Sequence, residues 1–415
     1  MAADVIVLGA GIVGVSVALQ LARRGTSVVL VDRRGPGEET SFGNAGLIQR
    51  EGVVPYSFPQ DLALLAKYAL NNRVDAHYHA GALPGIAPFL ARYWYHSRQV
   101  RHQAIARAYA PLIENSLSEH DILVREAGAD DLIARQGWIE LYRSHAKRDA
   151  NYAAAEKVEK DHGLHHVKLD AKALAAAEPN LSYPFTGALQ WTDPWGVKDP
   201  HALTLAYVQL FESLGGTFVK GDASTLSQTA TGWKVKTQDG EMEAESAVVA
   251  LGPWSDVLTS RLGYRFPLGV KRGYHMHYAA QNGTTLNNWL LDAERGYLLA
   301  PMNKGIRLTT GAEFTHRDAP KSPVQVDRAE RVARTIIPLG NRLDAEPWMG
   351  ARPCTPDMMP IIGKAPRHSG LWFSFGHAHH GLTLGPITGR ILAETMLGEA
   401  PVISIDSYRP ERFNP

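Results

Sequence analysis

The sequence predicts a two-domain α/β protein: a Rossmann-like domain at the amino terminus and an α+β domain whose sheet is mainly antiparallel. Three observations carry this. An apolar strand, a GxGxxG turn and a helix follow one another within residues 5–22. The chain has 415 residues, more than a single core usually organises. Residues 267–314 alternate in the manner of paired strands.

The amino-terminal unit divides at its glycines. Val5–Leu8 is a short apolar strand of the buried parallel kind, and Gly9, Gly11 and Gly14 form the turn. Val13, Val17, Leu19 and Leu21 give the helix apolar surface, and Gly25 stops it. Val28–Val31 is a second strand, closed by Asp32, 18 residues after Gly14. Residues 5–22 carry no charge and by length alone suit a membrane span. The glycine pattern, and acidic Asp4 where a signal peptide has basic residues, favour a buried strand and helix instead. Each glycine then has a purpose: Gly9 for the tight turn, Gly11 for backbone approach to a pyrophosphate, Gly14 for helix-on-strand packing. Ile12 and Val13 open a helix whose free N–H groups face the phosphates, and Asp32 reaches a ribose hydroxyl. The unit therefore reads as a dinucleotide site.

Composition narrows the remaining classes. The chain is 45% hydrophobic and 20% charged, as in ordinary globular proteins. A formal net charge of +1 gives no electrostatic footprint for nucleic acid. The single cysteine, Cys354, excludes an internal disulfide and fits a reducing compartment, hence a cytoplasmic location.

The segment "RRGPGEETSFGNAGLI" (33–48) identifies which dinucleotide. It resembles the stretch after the first βαβ unit in FAD-dependent amine oxidoreductases of the D-amino-acid oxidase superfamily. The resemblance implies non-covalent FAD in a glutathione-reductase-like Rossmann fold. It places Ser41, Asn44, Ala45 and Gly46 along the pyrophosphate and flavin, flanked by Arg33 and Leu47. It also implies that "AVVALGPWS", ending in Gly252, returns to the nucleotide domain and that Ala223 meets adenine through its backbone. The cofactor domain would then be discontinuous, over 1–55, 195–265 and 341–415, with 56–194 and 266–340 forming the substrate domain.

Between these segments, residues 55–130 read as helices broken at prolines 55, 59, 84, 88 and 111. Residues 84–113 are aromatic, then basic: a helix with a solvated basic face, or a docking surface for a membrane or redox partner. Trp138, Glu140 and Tyr142 alternate as in a strand, and 148–176 read as a charged, alanine-rich helix. Asp199–Pro200 forms an N-cap and N1 pair, and Asp239–Gly240 signals a hairpin. A helix is expected over 325–337. His275 and His277 share a strand face, but no third ligand at suitable spacing accompanies them, so no metal site is assigned.

"WMGARPCTPDMMPIIGKAP" (348–366) resembles the G-x-R-P-x-T-x-D-x-x-P-x-I-G motif of the D-amino-acid dehydrogenase and glycine oxidase branch. Arg352 takes the position that holds the substrate carboxylate there, which suits a planar, permanently charged fork. The alternative is a structural arginine paired with Asp357. Arg272, Gly273 and Tyr274 match a strand beside the family's active site, giving Tyr274 either a substrate-contacting hydroxyl or a place in the core. Glu51 and Tyr56 are further pocket candidates. Cys354 stands directly before "TPD", unlike the cysteine of relatives with covalent flavin, and reads as a small buried thiol.

"GHAHHGLTLGPITGR" (376–390) presents three histidines and four glycines. The histidines lack a fourth partner at metal-ligand spacing. The context is a strand, a turn and a helix expected to open at Pro386. The resemblance puts Gly381, Leu382 and Thr383 at the N1–C2=O2 edge of the flavin, with Gly376 at close approach. His380 is assigned to the site with Arg352 and Tyr274, leaving open whether it or His379 lines the pocket.

Whole-chain resemblance to bacterial D-amino-acid dehydrogenase small subunits and D-hydroxyproline dehydrogenases implies the reaction. The flavin takes hydride from Cα–H of a D-amino acid, and the imino acid hydrolyses to a 2-oxo acid and ammonia, or stays a cyclic imine from a proline-type substrate. Electrons pass to a quinone or another carrier, with a peripheral position at the inner membrane face as one implied arrangement. Alternatives are an oxygen-using glycine or sarcosine oxidase and a nonenzymatic flavin electron-transfer subunit.

Overall fold

The computed structural model describes residues 3–415. Its first sheet has a parallel centre. Ala3–Leu8 pairs with Val28–Asp32 on one side and Gly240–Val249 on the other, and Leu371–Phe375 continues the sheet beyond the latter. Thr217–Gln228 lies outside Val28–Asp32, and Trp233–Thr237 completes an antiparallel meander back to Gly240–Val249. The central strands read as near-continuous apolar runs because both faces are covered, and Ile6, Val7 and Leu8 have no exposed surface. Asp199 caps the helix Pro200–Ser213 by accepting from the His201 and Ala202 amides at 3.0 Å.

The second sheet is mainly antiparallel, with 11 strands. Its axis is Gly269–Ala280, which carries Gly305–Thr309 on one edge and Trp348–Cys354 on the other. Residues 341–354, expected with the Rossmann-like segments, belong here instead. Leu339–Arg342 and Trp348–Cys354 both pair with Gly269–Ala280, the latter in unbroken register from Gly269↔Cys354 to His275↔Trp348. Small residues explain the fit, since Gly273 faces Gly350 and the strands meet there without side chains. The first sheet resumes at Ile361–Lys364, antiparallel to Leu371–Phe375.

Several helix boundaries differ from expectation. The stretch 148–176 is two helices, His145–His162 and Ala171–Ala177, separated by the strand His166–Leu169. Gly163, at φ 64°, ends the first in the left-handed conformation that glycine tolerates, and pairing with Gly187–Trp191 captures the strand. Pro88 and Pro111 lie inside Leu83–His96 and Gln99–Glu114, so neither breaks its helix; Pro111 sits in the last turn, whereas Pro88 is interior. The helix expected over 325–337 runs Val324–Ala333. Among the described residues no helix is long and apolar enough to cross a membrane.

Candidate active site

Both sheets contribute walls to one cavity of about 820 Å³. That is toward the upper end of the roughly 300–1,000 Å³ occupied by small-molecule sites. From the first sheet come Gly9, Gly11, Ile12, Val13, Asp32 and Arg33; from the following loop, Ser41, Asn44, Ala45 and Leu47. Ala223, Gly252, Gly381 and Leu382 complete the expected cofactor residues on its wall. Four expected residues stand off it. Gly14 serves packing, since a Cβ there would sit 1.8 Å from the Gly9 carbonyl oxygen. Gly46 packs against Val197, whose amide it binds at 2.8 Å, and Gly376 packs against Thr355. Thr383 turns its hydroxyl to the Gln49 amide at 3.1 Å.

The residues present fit a dinucleotide. Gly9 adopts φ 106°, and a Cβ there would overlap the Ala250 carbonyl. Gly11 is an N-cap without a capping side chain, so the helix Ile12–Ala22 offers its first amides to the cavity, with Ser41 Oγ accepting from Ile12 at 2.9 Å. Asp32 accepts from the Ala10 amide at 2.7 Å, and burial raises its carboxyl above the usual range. The Arg33 guanidinium lies 4.5 Å over Trp254, beside Gly252.

A second helix points its amino terminus into the same space. It spans Gly381–Met396, so it opens at Gly381 and not at Pro386. Pro386 is accommodated within it because the bond it cannot make is replaced. The orphaned carbonyl is that of Leu382, four residues earlier, and His120 donates to it from Nε2 at 2.8 Å while its Nδ1 meets the Tyr207 hydroxyl at 2.9 Å. Burial lowers His120 to about 4, and this neutral form is what the arrangement requires. Gly381, Gly385 and Gly389 recur every four residues and face the first helix. Added Cβ atoms at the latter two would meet Ser16 Oγ at 3.1 Å and the Ser16 carbonyl at 2.7 Å. The glycines are thus an interhelical seam that brings both amino termini to one cavity.

The histidines of this segment separate. His377 is a core residue bound to Thr388 Oγ1 at 3.0 Å. His380, expected in the site, is turned away from the cavity: its Nδ1 meets the Tyr109 hydroxyl at 2.7 Å. His379 lines the cavity, with its ring 3.8 Å from His380 and 4.6 Å from Tyr56 between centroids. Burial, then the neighbouring His380, Arg352 and Lys271, hold its imidazole uncharged.

Arg352 lines the same cavity. Its guanidinium fills the space over Gly273, where a Cβ would be 2.3 Å from Nη2, and donates to the Gly311 carbonyl at 3.0 Å. Asp357 is taken by Arg412 at 2.9 Å, so it does not pair with Arg352. Tyr274, expected to offer its hydroxyl to substrate, has none to spare. The oxygen accepts from Arg272 at 2.7 Å and the Ser322 amide at 2.8 Å and donates to Glu313 at 2.8 Å, so the hydroxyl has nothing left for a substrate although the residue itself borders the cavity. Cys354 is 1% exposed, and burial pushes its thiol up. Met358 and Ala378, at φ 58° and 51°, line the cavity, whereas the other left-handed non-glycine residues are asparagines, which tolerate that conformation.

Lys271, Tyr93 and Gln49 also line the cavity, although sequence reasoning assigned none of them to the site, and His379, left open there, lines it too. Lys271 was legible in principle, because strand parity puts it with Gly273 on one face, opposite Arg272 and Tyr274. Glu51, bound to Gln49 Nε2 at 2.9 Å, stands behind the wall, and burial pushes it up to about 7. Asp344 supplies the third group beside His275 and His277, but its oxygens are engaged by His277 at 2.7 Å and by Lys304. Arg307 donates to His277 Nε2 at 3.0 Å and to the Asn44 carbonyl, so this chain ties the second sheet to the loop that lines the cavity.

Comparison with known proteins gives consistent matches. A family model described as FAD dependent oxidoreductase matches residues 4–395. A D-amino acid dehydrogenase of Paramagnetospirillum magneticum is 31% identical over 99% of this chain and 98% of its own. A D-amino-acid oxidase of Bradyrhizobium diazoefficiens is 28% identical over 99% and 98%. Among solved structures, glycine oxidase from Geobacillus kaustophilus superposes with a TM-score of 0.73 at 20% identity, covering 99% of this chain and 98% of that one.

Proposed function

This chain belongs to the family of FAD-dependent oxidoreductases, and from that premise we propose that it is a D-amino-acid dehydrogenase that passes electrons to a quinone or another carrier. The observation that carries the reading is Arg352, a cation on the cavity wall with no carboxylate partner among the described residues. A pure electron carrier has no use for such a group, whereas an amino acid brings the missing carboxylate. The dehydrogenase and oxidase names of the full-length relatives support the D-amino acid and the choice of class.

Bound FAD supplies the hydride acceptor for the substrate Cα–H. The protein binds and orients. The amino termini of the helices Ile12–Ala22 and Gly381–Met396 would hold the cofactor's pyrophosphate and the electron-rich edge of its ring. Arg352 fixes the carboxylate and so the direction of Cα–H, which is a positioning contribution. His379, held neutral, can accept a hydrogen bond from the substrate amine at a ring nitrogen, but the depression that keeps it neutral makes it a weak base, so the amine binds with its extra proton already lost to solvent. The test is anaerobic bleaching of the yellow protein by D- and L-amino acids, including D-proline and the hydroxyprolines. Bleaching by D-forms, with slow reoxidation in air and fast reoxidation by a quinone, is expected. No bleaching by any D-amino acid would sink the reading, and rapid reoxidation by air would move it to the oxidase class.

A further inference from the structure

Arg352 has a neighbour of the same charge. Lys271 stands directly opposite it in the antiparallel register of Gly269–Ala280 and Trp348–Cys354, on the same face, and both line the cavity. Directly opposed residues have Cβ atoms about 4.5–5.5 Å apart, and like charges in such a pair destabilise a sheet. The Lys271 ammonium has little else to hold. It lies 4.0 Å over the Tyr93 ring and 6.0 Å from the Phe314 ring, and among the described residues its only polar neighbour within bonding reach is the Met358 sulfur at 3.8 Å. The titratable groups that act on it are Cys354 and Arg352, and it acts in turn on His379; none of these is a carboxylate. Burial, and secondarily Arg352, hold this amine down to about 8, so it is still mainly cationic near neutral pH.

An ammonium beside a guanidinium, both half-buried on the wall of one cavity, is costly unless an anion joins them. A substrate with one carboxylate satisfies Arg352 and leaves Lys271 unpaired. We propose that Lys271 forms a second anion subsite and that the preferred substrates are acidic D-amino acids, whose α-carboxylate meets Arg352 and whose side-chain carboxylate meets Lys271. The two cations then face two carboxylates, while the substrate amine is left to neutral His379 and to Tyr56, which also lines the cavity. The inference rests on the amino-acid reading above but names a specificity that the reading does not require.

The experiment uses the FAD-loaded enzyme and matched pairs: D-glutamate against D-glutamine, D-aspartate against D-asparagine. At least one acid should exceed its amide by about tenfold or more in kcat/KM, the scale of one well-made buried charge pair. Lys271→Met should bring that ratio close to one, and Lys271→Arg should restore most of it. Equal turnover of acid and amide by the parent, or an unchanged ratio in Lys271→Met, overturns the proposal. Non-reacting ligands separate the two readings. Glutarate and succinate should perturb the flavin absorbance at lower concentration than butyrate and propionate, and this advantage should vanish in Lys271→Met. If no D-amino acid is oxidised but this difference holds, the subsite stands and the dehydrogenase reading falls. If D-amino acids are oxidised but the difference is absent, the subsite falls alone.

Discussion

Replacing Arg352 by methionine removes the charge and keeps most of the side-chain bulk. A guanidinium has five N–H donors, and in this structure the Gly311 and Thr310 carbonyls engage Nη1 and Nη2 at 3.0 and 3.4 Å. The donors that remain are available to a ligand carboxylate. Hydrogen bonds to charged groups contribute about 1.5–3 kcal/mol each, so a two-pronged contact is worth about 3–6 kcal/mol at most. Lys271 opposite retains one cation, which offsets part of the loss. The expected cost is therefore about 2–4 kcal/mol, roughly 30- to 1,000-fold in carboxylate affinity. Titrating the flavin absorbance with a small monocarboxylate reads this directly, and anaerobic reduction by a D-amino acid should slow in parallel. Arg352→Lys, which keeps charge but not the fork, should fall between the two. A fully flavinated Arg352→Met protein that binds the monocarboxylate within about threefold of the parent would refute the anchor.

Gly389→Ala places a Cβ 2.7 Å from the Ser16 carbonyl. It should cost about 1–3 kcal/mol through overpacking and lower flavin occupancy; an unaltered melting curve and flavin ratio would remove the seam from the argument. His120, His377 and His380 are held by burial at about 4, 3 and 3. Each binds its proton only on unfolding, so stability should fall as pH drops below about 6.5, by up to about 1.4 kcal/mol per pH unit for each histidine. Urea midpoints that stay flat from pH 6.5 to 5 would contradict this. Glu51 has the opposite sign: with a folded value of about 7, its contribution is lost as pH rises through that value. Glu51→Gln should therefore be more stable than the parent at pH 8 and equal to it at pH 4, measured the same way. The Cys354 thiol is protonated and buried, so acid precipitation should release all flavin to the supernatant, and flavin retained in the pellet would indicate a covalent link.

What the sequence disclosed, and what it hid, follows from the range of the forces involved. The strand, GxGxxG turn and helix were legible because each glycine answers a local constraint within 10 residues of the next. Arg352 was legible through a contiguous motif. Tyr274 borders the cavity, but no motif discloses that its hydroxyl is claimed by Glu313 and Ser322, 39 and 48 positions on. Lys271 became informative only when the register placed it opposite Arg352. The helix boundary at 381 was obscured by Pro386, whose accommodation depends on His120, 262 residues from Leu382. Long-range pairing of this kind leaves no local trace.

The seam between the two helices has a metric consequence. With glycine at 385 and 389 the helices meet backbone to backbone at Ser16, so the span between the two amino termini is set by that contact and by helix pitch, not by the loops that lead into them. The pair would act as a ruler for bound FAD, setting how far apart its phosphates and its ring edge could be held. Loops around the cavity can then lengthen or change composition without altering that span, whereas one added methyl group on the ruler resets it.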